Sequence, residues 1–274
     1  MAIIPDAMLV RLVAADEWTT LFWRGLLTAI SITTVLTILH RRETVARFKE
    51  IGPLGVLLAV LFAVGAICFV IAITLTKVAN VLFIVSTTPL YAAIIARAFL
   101  GEQVPLRIWV AIGFTMLGVA VISSASLSRG SDSVLGDGLA FLAALSMAMT
   151  LSLARKARAR SMVPSMALAG AFYALAILPF VSPFNISAAD VGWLALMGLV
   201  SVPLGFSMLT IAPRYLPTPE VSLLLLLEAV VGPLLVWWVV GESPGSRALV
   251  GGGIVVATLL VVNFIALRNC RAIE

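Results

Sequence analysis

A chain of 274 residues that is 62% hydrophobic and 11% charged, with a mean hydropathy of +1.15, is not a soluble domain, for which about half apolar and about a quarter charged is usual. Its formal charge of +5 raises nucleic acid as a partner, but the basic residues cluster in short connections between apolar runs, so none is expected. Two cysteines far apart (Cys68, Cys270) and one histidine in a basic loop (His40) exclude a disulfide framework or metal centre, and no cofactor is expected.

Apolar runs of about 20 residues fill the chain. Ten transmembrane spans are read from it: 2–15, 19–39, 52–74, 79–99, 106–124, 134–154, 163–181, 190–211, 219–240 and 248–267. No secretory signal pattern precedes span 1, so it counts as part of the fold. It is short: about 15 residues at 1.5 Å each reach about 22 Å, against a hydrocarbon core of about 30 Å. A beginning upstream of Met1 is the expectation, and a locally adapted bilayer the alternative.

Span 2 carries Thr20, Arg24, Thr28, Ser31 and Thr34, at spacings that put them on one helix face. Arg24 lies about one turn inside the span and is read as snorkelling to the interface, with a substrate carboxylate as the other reading; Arg11 carries the same two. Span 4 places Asn80, Thr87 and Tyr91 on one stripe, beside Ser86, Thr88 and Pro89. With Tyr173 in span 7 and Phe206 in span 8, these residues predict a cavity with polar atoms and aromatic walls, suited to amphipathic organic molecules. Ala140, Ala144 and Ala148 in span 6, and "GGG" (251–253) before Ala257 in span 10, are read as sites of close helix approach. Trp237 and Trp238 in span 9, and Trp109 in span 5, are read as an interfacial belt.

Span 9, within "SLLLLLEAVVGPLLVWW" (222–238), holds Glu228 near its middle. A carboxylate there costs roughly 2.5–3.5 kcal/mol and must face protein or water. Its functional reading is an ammonium partner, proton carrier or gate; its structural reading is a helix-fixing bond to backbone. Pro89, Pro203 and Pro233 interrupt spans 4, 8 and 9. Each lacks an N–H, which frees the carbonyl four residues back, on Val85, Leu199 and Ala229. Broken backbone at membrane depth is tolerated only against protein or a water-lined cavity. The three prolines, with Gly65 and Gly205, are candidate hinges; packing kinks are the plain alternative.

Thirteen Lys and Arg fall on one side of the ten spans, among them those of "HRRETVARFK" and "RKARAR", against Lys77, Arg129 and Arg247 on the other. The positive-inside rule makes the first side cytoplasmic and puts both termini there. A shift of 140 residues lays "LGEQVPLRIWVAIGF" (100–114) on "VGESPGSRALVGGGI" (240–254), matching Gly101 to Gly241, Glu102 to Glu242, Arg107 to Arg247 and Gly113 to Gly253; Gly65 meets Gly205. Each half holds five spans, an odd number, so the second half is inverted. The expected fold is an all-α integral membrane protein of ten transmembrane helices, built as two inverted five-helix repeats, residues 1–130 and 131–274. Inverted repeats place a binding site between halves near the midplane.

The segments "FWRGLL" (22–27), "TTPLYAAIIARAFLGE" (87–102), "GDGLAFLAAL" (136–145) and "LLEAVVGPLLVWWVVGE" (226–242) carry a resemblance to the ten-helix EamA-type exporters of the drug/metabolite transporter superfamily. It covers nearly the whole chain, and the short first span departs from it. The resemblance implies export, and the pattern is similar to a branch that exports aromatic and other amino acids.

The reading is a secondary transporter of the inner membrane, not an enzyme, exporting small amphipathic metabolites, amino acids foremost, by alternating access. No Gly-x-x-x-x-Gly-Lys-Ser/Thr stretch occurs, so a gradient, with protons as a possible second partner, or passive flow drives it. Drug or nucleoside efflux is the alternative within the fold; a membrane-embedded enzyme or non-transporting subunit is the alternative outside it. The candidate substrate-binding or gating residues are Glu228, Thr87, Thr88, Tyr91, Asn80, Arg24, Ser31, Tyr173 and Phe206.

Overall fold

A computed structural model of the chain describes residues 6–100, 106–127, 131–157, 161–181, 186–211, 231–241 and 244–271. The described residues are helical and contain no strand. In chain order they form α1 (Asp6–Leu12), α2 (Glu17–His40), a 3-10 turn (Arg41–Glu43), α3 (Thr44–Glu50), α4 (Gly52–Leu75), α5 (Val78–Val85), α6 (Thr88–Leu100), α7 (Leu106–Leu127), α8 (Ser131–Lys156) and α9 (Val163–Ile177), which runs into a 3-10 turn (Leu178–Phe180). Then follow α10 (Ala188–Ala195), a π-helical segment (Leu196–Ser201), α11 (Val202–Ile211), α12 (Val231–Val240) and α13 (Ser246–Arg271).

Among the described residues, five helices are long and apolar enough to cross a bilayer: Glu17–His40, Gly52–Leu75, Ser131–Lys156, Val163–Phe180 and Ala188–Ile211. Their outward faces carry large apolar side chains in the open, such as Ile38, Leu175 and Met208, which in water would be a liability and in lipid is the ordinary state. Trp109, Trp237 and Trp238 are all exposed.

Local chemistry sets the ends. Asp16 caps α2, accepting from the Thr19 amide at 3.1 Å. Ser187 caps α10, accepting from the Asp190 amide at 3.2 Å. Gly52 and Gly241 take positive φ, 60° and 76°, at the start of α4 and the end of α12; at the latter the Gly241 amide bonds the Trp237 carbonyl at 3.1 Å, a left-handed stop that glycine accepts without strain.

Two structural findings modify the predicted spans. Span 4 is broken: α5 ends at Val85 and α6 begins at Thr88, because Pro89 cannot continue the backbone ladder. Span 8 is continuous but widens into the π segment one residue before Val202 and Pro203. Span 1 shortens to Asp6–Leu12 within the described residues.

The packing is built on small residues. On α2 and α9, a methyl added to Gly25 would stand 2.6 Å from the Gly170 carbonyl, and one on Gly170 would stand 2.7 Å from the Gly25 carbonyl. On α7 and α13, Gly118 and Gly251 approach each other's carbonyls in the same way, at 2.8 and 2.5 Å. Backbones this close gain dispersion contact where lipid supplies no hydrophobic drive. α4 packs along α8 and α9, and the α8 alanines at 140, 144 and 148 are fully enclosed. The starts of α7 (106) and α13 (246) are 246 − 106 = 140 residues apart, the offset found in the sequence, and each of these two helices packs on the other.

Candidate functional site

The polar face of α2 is the best-defined cluster. Thr20, Arg24 and Thr28 are buried along it, held by the Gly25–Gly170 contact that draws α9 close. Arg24 does not snorkel, which corrects the sequence expectation: it is 1% exposed and donates to Asp6 of α1 through Nη2 to Oδ2 at 2.8 Å and Nε to Oδ1 at 3.4 Å. Asp6 is itself 2% exposed. The physical reason is that a counter-charge lies within reach inside the protein, and a paired guanidinium need not climb to the interface. Tyr173 of α9, fully buried, lies beside Arg24 and Thr28.

One turn further along α2, the hydroxyls cross to the second half of the chain. Thr28 Oγ1 donates to the Gly198 carbonyl at 3.3 Å and Ser31 Oγ to the Leu199 carbonyl at 2.8 Å. Both acceptors belong to the π segment. Leu199 lies four residues before Pro203, so its carbonyl lacks the i+4 N–H of a regular α-helix, and Ser31 supplies a donor. A second tether joins the same regions: Asp190 Oδ1 accepts from the Ala14 amide at 2.9 Å while Ser187 Oγ donates to its Oδ2 at 2.7 Å.

At the α5–α6 break the hydroxyls turn inward on their own helix. Ser86 Oγ donates to the Phe83 carbonyl at 2.7 Å, Thr87 Oγ1 to Ile84 at 2.6 Å and Thr88 Oγ1 to Val85 at 2.6 Å. Thr88 Oγ1 also lies 3.4 Å from the Ala144 carbonyl of α8. Tyr91 is buried edge-on against Phe141 of α8, ring centres 5.3 Å apart, and its hydroxyl meets no partner in hydrogen-bond geometry among the described residues. Asn80 is fully buried and donates to Thr76 Oγ1 at 3.5 Å, an oxygen that Ser133 of α8 also approaches. Phe206 of α11 stacks edge-on with Phe62 of α4 at 4.6 Å.

The residues named from the sequence thus gather in two groups: Arg24, Ser31 and Tyr173 on the α2 face, and Asn80, Thr87, Thr88 and Tyr91 against α8, with Phe206 apart from both on α4. Pro203 and Gly205 are buried in α11, Pro233 is buried in α12, and Gly65 of α4 faces Ser146 of α8. Glu228 lies outside the described residues.

Sequence reasoning missed Asp6 and Asp137. The signal for Asp6 was a lone acid in span 1 and a lone base in span 2, since opposite charges within a membrane seek each other. Asp137 of α8 is 5% exposed, and neither carboxylate oxygen has a hydrogen-bond partner among the described residues. No group of three metal-ligating side chains occurs among the described residues.

No curated protein matches the chain in a sequence search. A solved structure, described only as the crystal structure of a protein, superposes with a TM-score of 0.71 at 15% identity, covering 97% of this chain and 94% of its own, which shows a shared fold. The sequence matches the EamA-like transporter family twice, over residues 7–124 and 134–264. Two matching repeats over nearly the whole length, in an all-helical chain with membrane-length apolar helices, make this protein a multi-pass membrane member of the EamA-like transporter family of drug and metabolite carriers.

Proposed function

We propose that the chain is a secondary transporter of the inner membrane that exports small amphipathic metabolites, amino acids including aromatic ones foremost, and has no enzymatic activity. In this reading ten spans form two inverted five-helix repeats, residues 1–130 and 131–274, with both termini cytoplasmic. The bias of Lys and Arg toward one side supports that orientation.

The observation that carries the reading is the polar seam between the repeats. Arg24, Thr28 and Ser31 of the first repeat meet Tyr173, the Gly198 carbonyl and the Pro203-freed Leu199 carbonyl of the second. Hydrogen-bonding groups concentrated at a repeat interface are what alternating access requires: bonds that hold one state and exchange for substrate or water in the other. Pro89, Pro203, Pro233, Gly65 and Gly205 take up the bending, and Glu228 serves as ammonium partner, proton carrier or gate. Thr87, Thr88, Tyr91, Asn80 and Phe206 line the substrate path.

The test is uptake by purified protein in liposomes, with and without a pH difference. Saturable flux of labelled amino acids is the expected result, and a dependence on the pH difference would add protons as the coupled ion. Absence of flux across amino acids, nucleosides and cationic drugs overturns the reading. Glu228→Gln is expected to alter flux while leaving folding intact; unchanged flux returns Glu228 to a structural role.

A further inference from the structure

A cleft of about 100 Å³ opens between α1, α2 and α4. Its rim carries Arg11 and Glu17, its walls are apolar through Val13, Val70 and Ile73, and Val10 and Thr20 line its depth. Val10 follows Asp6 by one turn of α1, and Thr20 precedes Arg24 by one turn of α2. The cleft therefore ends about one helical turn from the Asp6–Arg24 pair, whose two members lie enclosed beyond its lining.

That pair is incompletely used. Of the guanidinium nitrogens, Nη2 makes a short bond and Nε a long one, while Nη1, fully enclosed, has no partner among the described residues. The Tyr173 hydroxyl beside it is enclosed and, close as it is to Arg24 and Thr28, makes no bond of good geometry with either. A buried polar group without a partner is costly, and a buried charge more so. The pair can part only if each partner is compensated. A solute with a single charge would satisfy one member and strand the other; a zwitterion satisfies both.

We propose that Asp6 and Arg24 form the recognition element for a zwitterion. Arg24 takes the carboxylate of an α-amino acid, with Tyr173 Oη as a further donor, and Asp6 takes the ammonium. The unliganded ion pair is the internal substitute for the substrate, and the charge count of the buried site stays at zero in both states. This rests on the transporter reading and gives it a substrate class.

The experiment is thermal stabilisation of the purified full chain in detergent by six probes: L-alanine and L-phenylalanine (zwitterions), their amides (cations), and propionate and 3-phenylpropionate (anions). The zwitterions are expected to bind at least about tenfold more tightly than either singly charged series, as a site built for two partners rejects a ligand lacking one. The neutral pair Asp6→Asn with Arg24→Gln keeps the fold and loses that preference, and Tyr173→Phe keeps the preference with weaker binding. Equal binding of amides or carboxylates, retention of the preference by the neutral pair, or no binding of any probe overturns the proposal. Zwitterion-selective binding without flux in liposomes would sink the transporter reading alone; flux without charge preference would sink only this proposal.

Discussion

Two regions of the molecule use the same materials in opposite ways. At Pro89 and at Pro203 a proline strips the carbonyl four residues back of its helical donor, and in both places a hydroxyl replaces it. At the α5–α6 break the donor is Thr88, in the same span, bonded to Val85 at 2.6 Å. At the π segment the donor is Ser31 of α2, bonded to Leu199 at 2.8 Å across 168 residues of sequence. The first break is closed within its own span. The second is closed by the other repeat, so the state of the helix depends on where α2 stands. A hydroxyl stripe next to a proline is therefore not one kind of feature: what matters is whose carbonyl it serves.

The sharpest way to break this comparison is at the ion pair that anchors the α2 face. Arg24→Ala leaves Asp6 enclosed and uncompensated, and a loss of about 3–5 kcal/mol is expected, measured by chemical or thermal unfolding in detergent. The neutral pair Asp6→Asn with Arg24→Gln should recover most of it. A change within error for Arg24→Ala would mean that the pair holds nothing in place.

Next comes the helix contact that brings the α2 face to α9. Gly25→Leu forces atoms into the Tyr173 ring and the Gly170 carbonyl, which stand 2.5 and 2.6 Å from an added Cβ, and should cost about 1–3 kcal/mol. Gly113→Leu, with nothing within 4 Å, is the control expected to leave stability unchanged. Equal effects at the two glycines would remove the close approach from the account.

The comparison itself is tested by smaller changes. Ser31→Ala should cost about 0.6 kcal/mol, the usual size of a hydrogen bond between membrane helices, and should change flux. Thr88→Val should cost a similar amount with the smaller effect on flux. If the flux effects are reversed, the local and interhelical roles are assigned the wrong way round. Thr87→Ala, smallest of all in stability, is expected to shift substrate preference in the liposome assay; an unchanged profile takes the α5–α6 break out of the substrate path.

Much of this was legible in the sequence. The spacing of Thr20, Arg24, Thr28 and Ser31 defined the α2 face before any coordinates, and proline chemistry singled out the Leu199 carbonyl as an acceptor. What the spacing could not give was the partner. Asp6 lies 18 residues from Arg24 in a span whose length read as marginal, and Asp190 lies 176 residues from the Ala14 amide it holds. Both contacts depend on how helices pack, which local pattern does not encode. The π segment was hidden for a related reason: Pro203 announces an irregularity, but whether it becomes a kink, a break or a widened turn is decided by the donors a neighbouring helix presents.

The central claim is that the two repeats move against each other to carry solute. Gly65 of α4 and Ser146 of α8 offer the most direct test, because a Cβ at Gly65 would stand 3.2 Å from that of Ser146, within a few tenths of an ångström of the separation a disulfide needs. In a background with Cys68 and Cys270 replaced by alanine, Gly65→Cys with Ser146→Cys should stop amino-acid counterflow in liposomes when oxidised and regain it on reduction, while neither single cysteine variant responds to oxidation. Full counterflow through the oxidised, cross-linked protein would contradict the account.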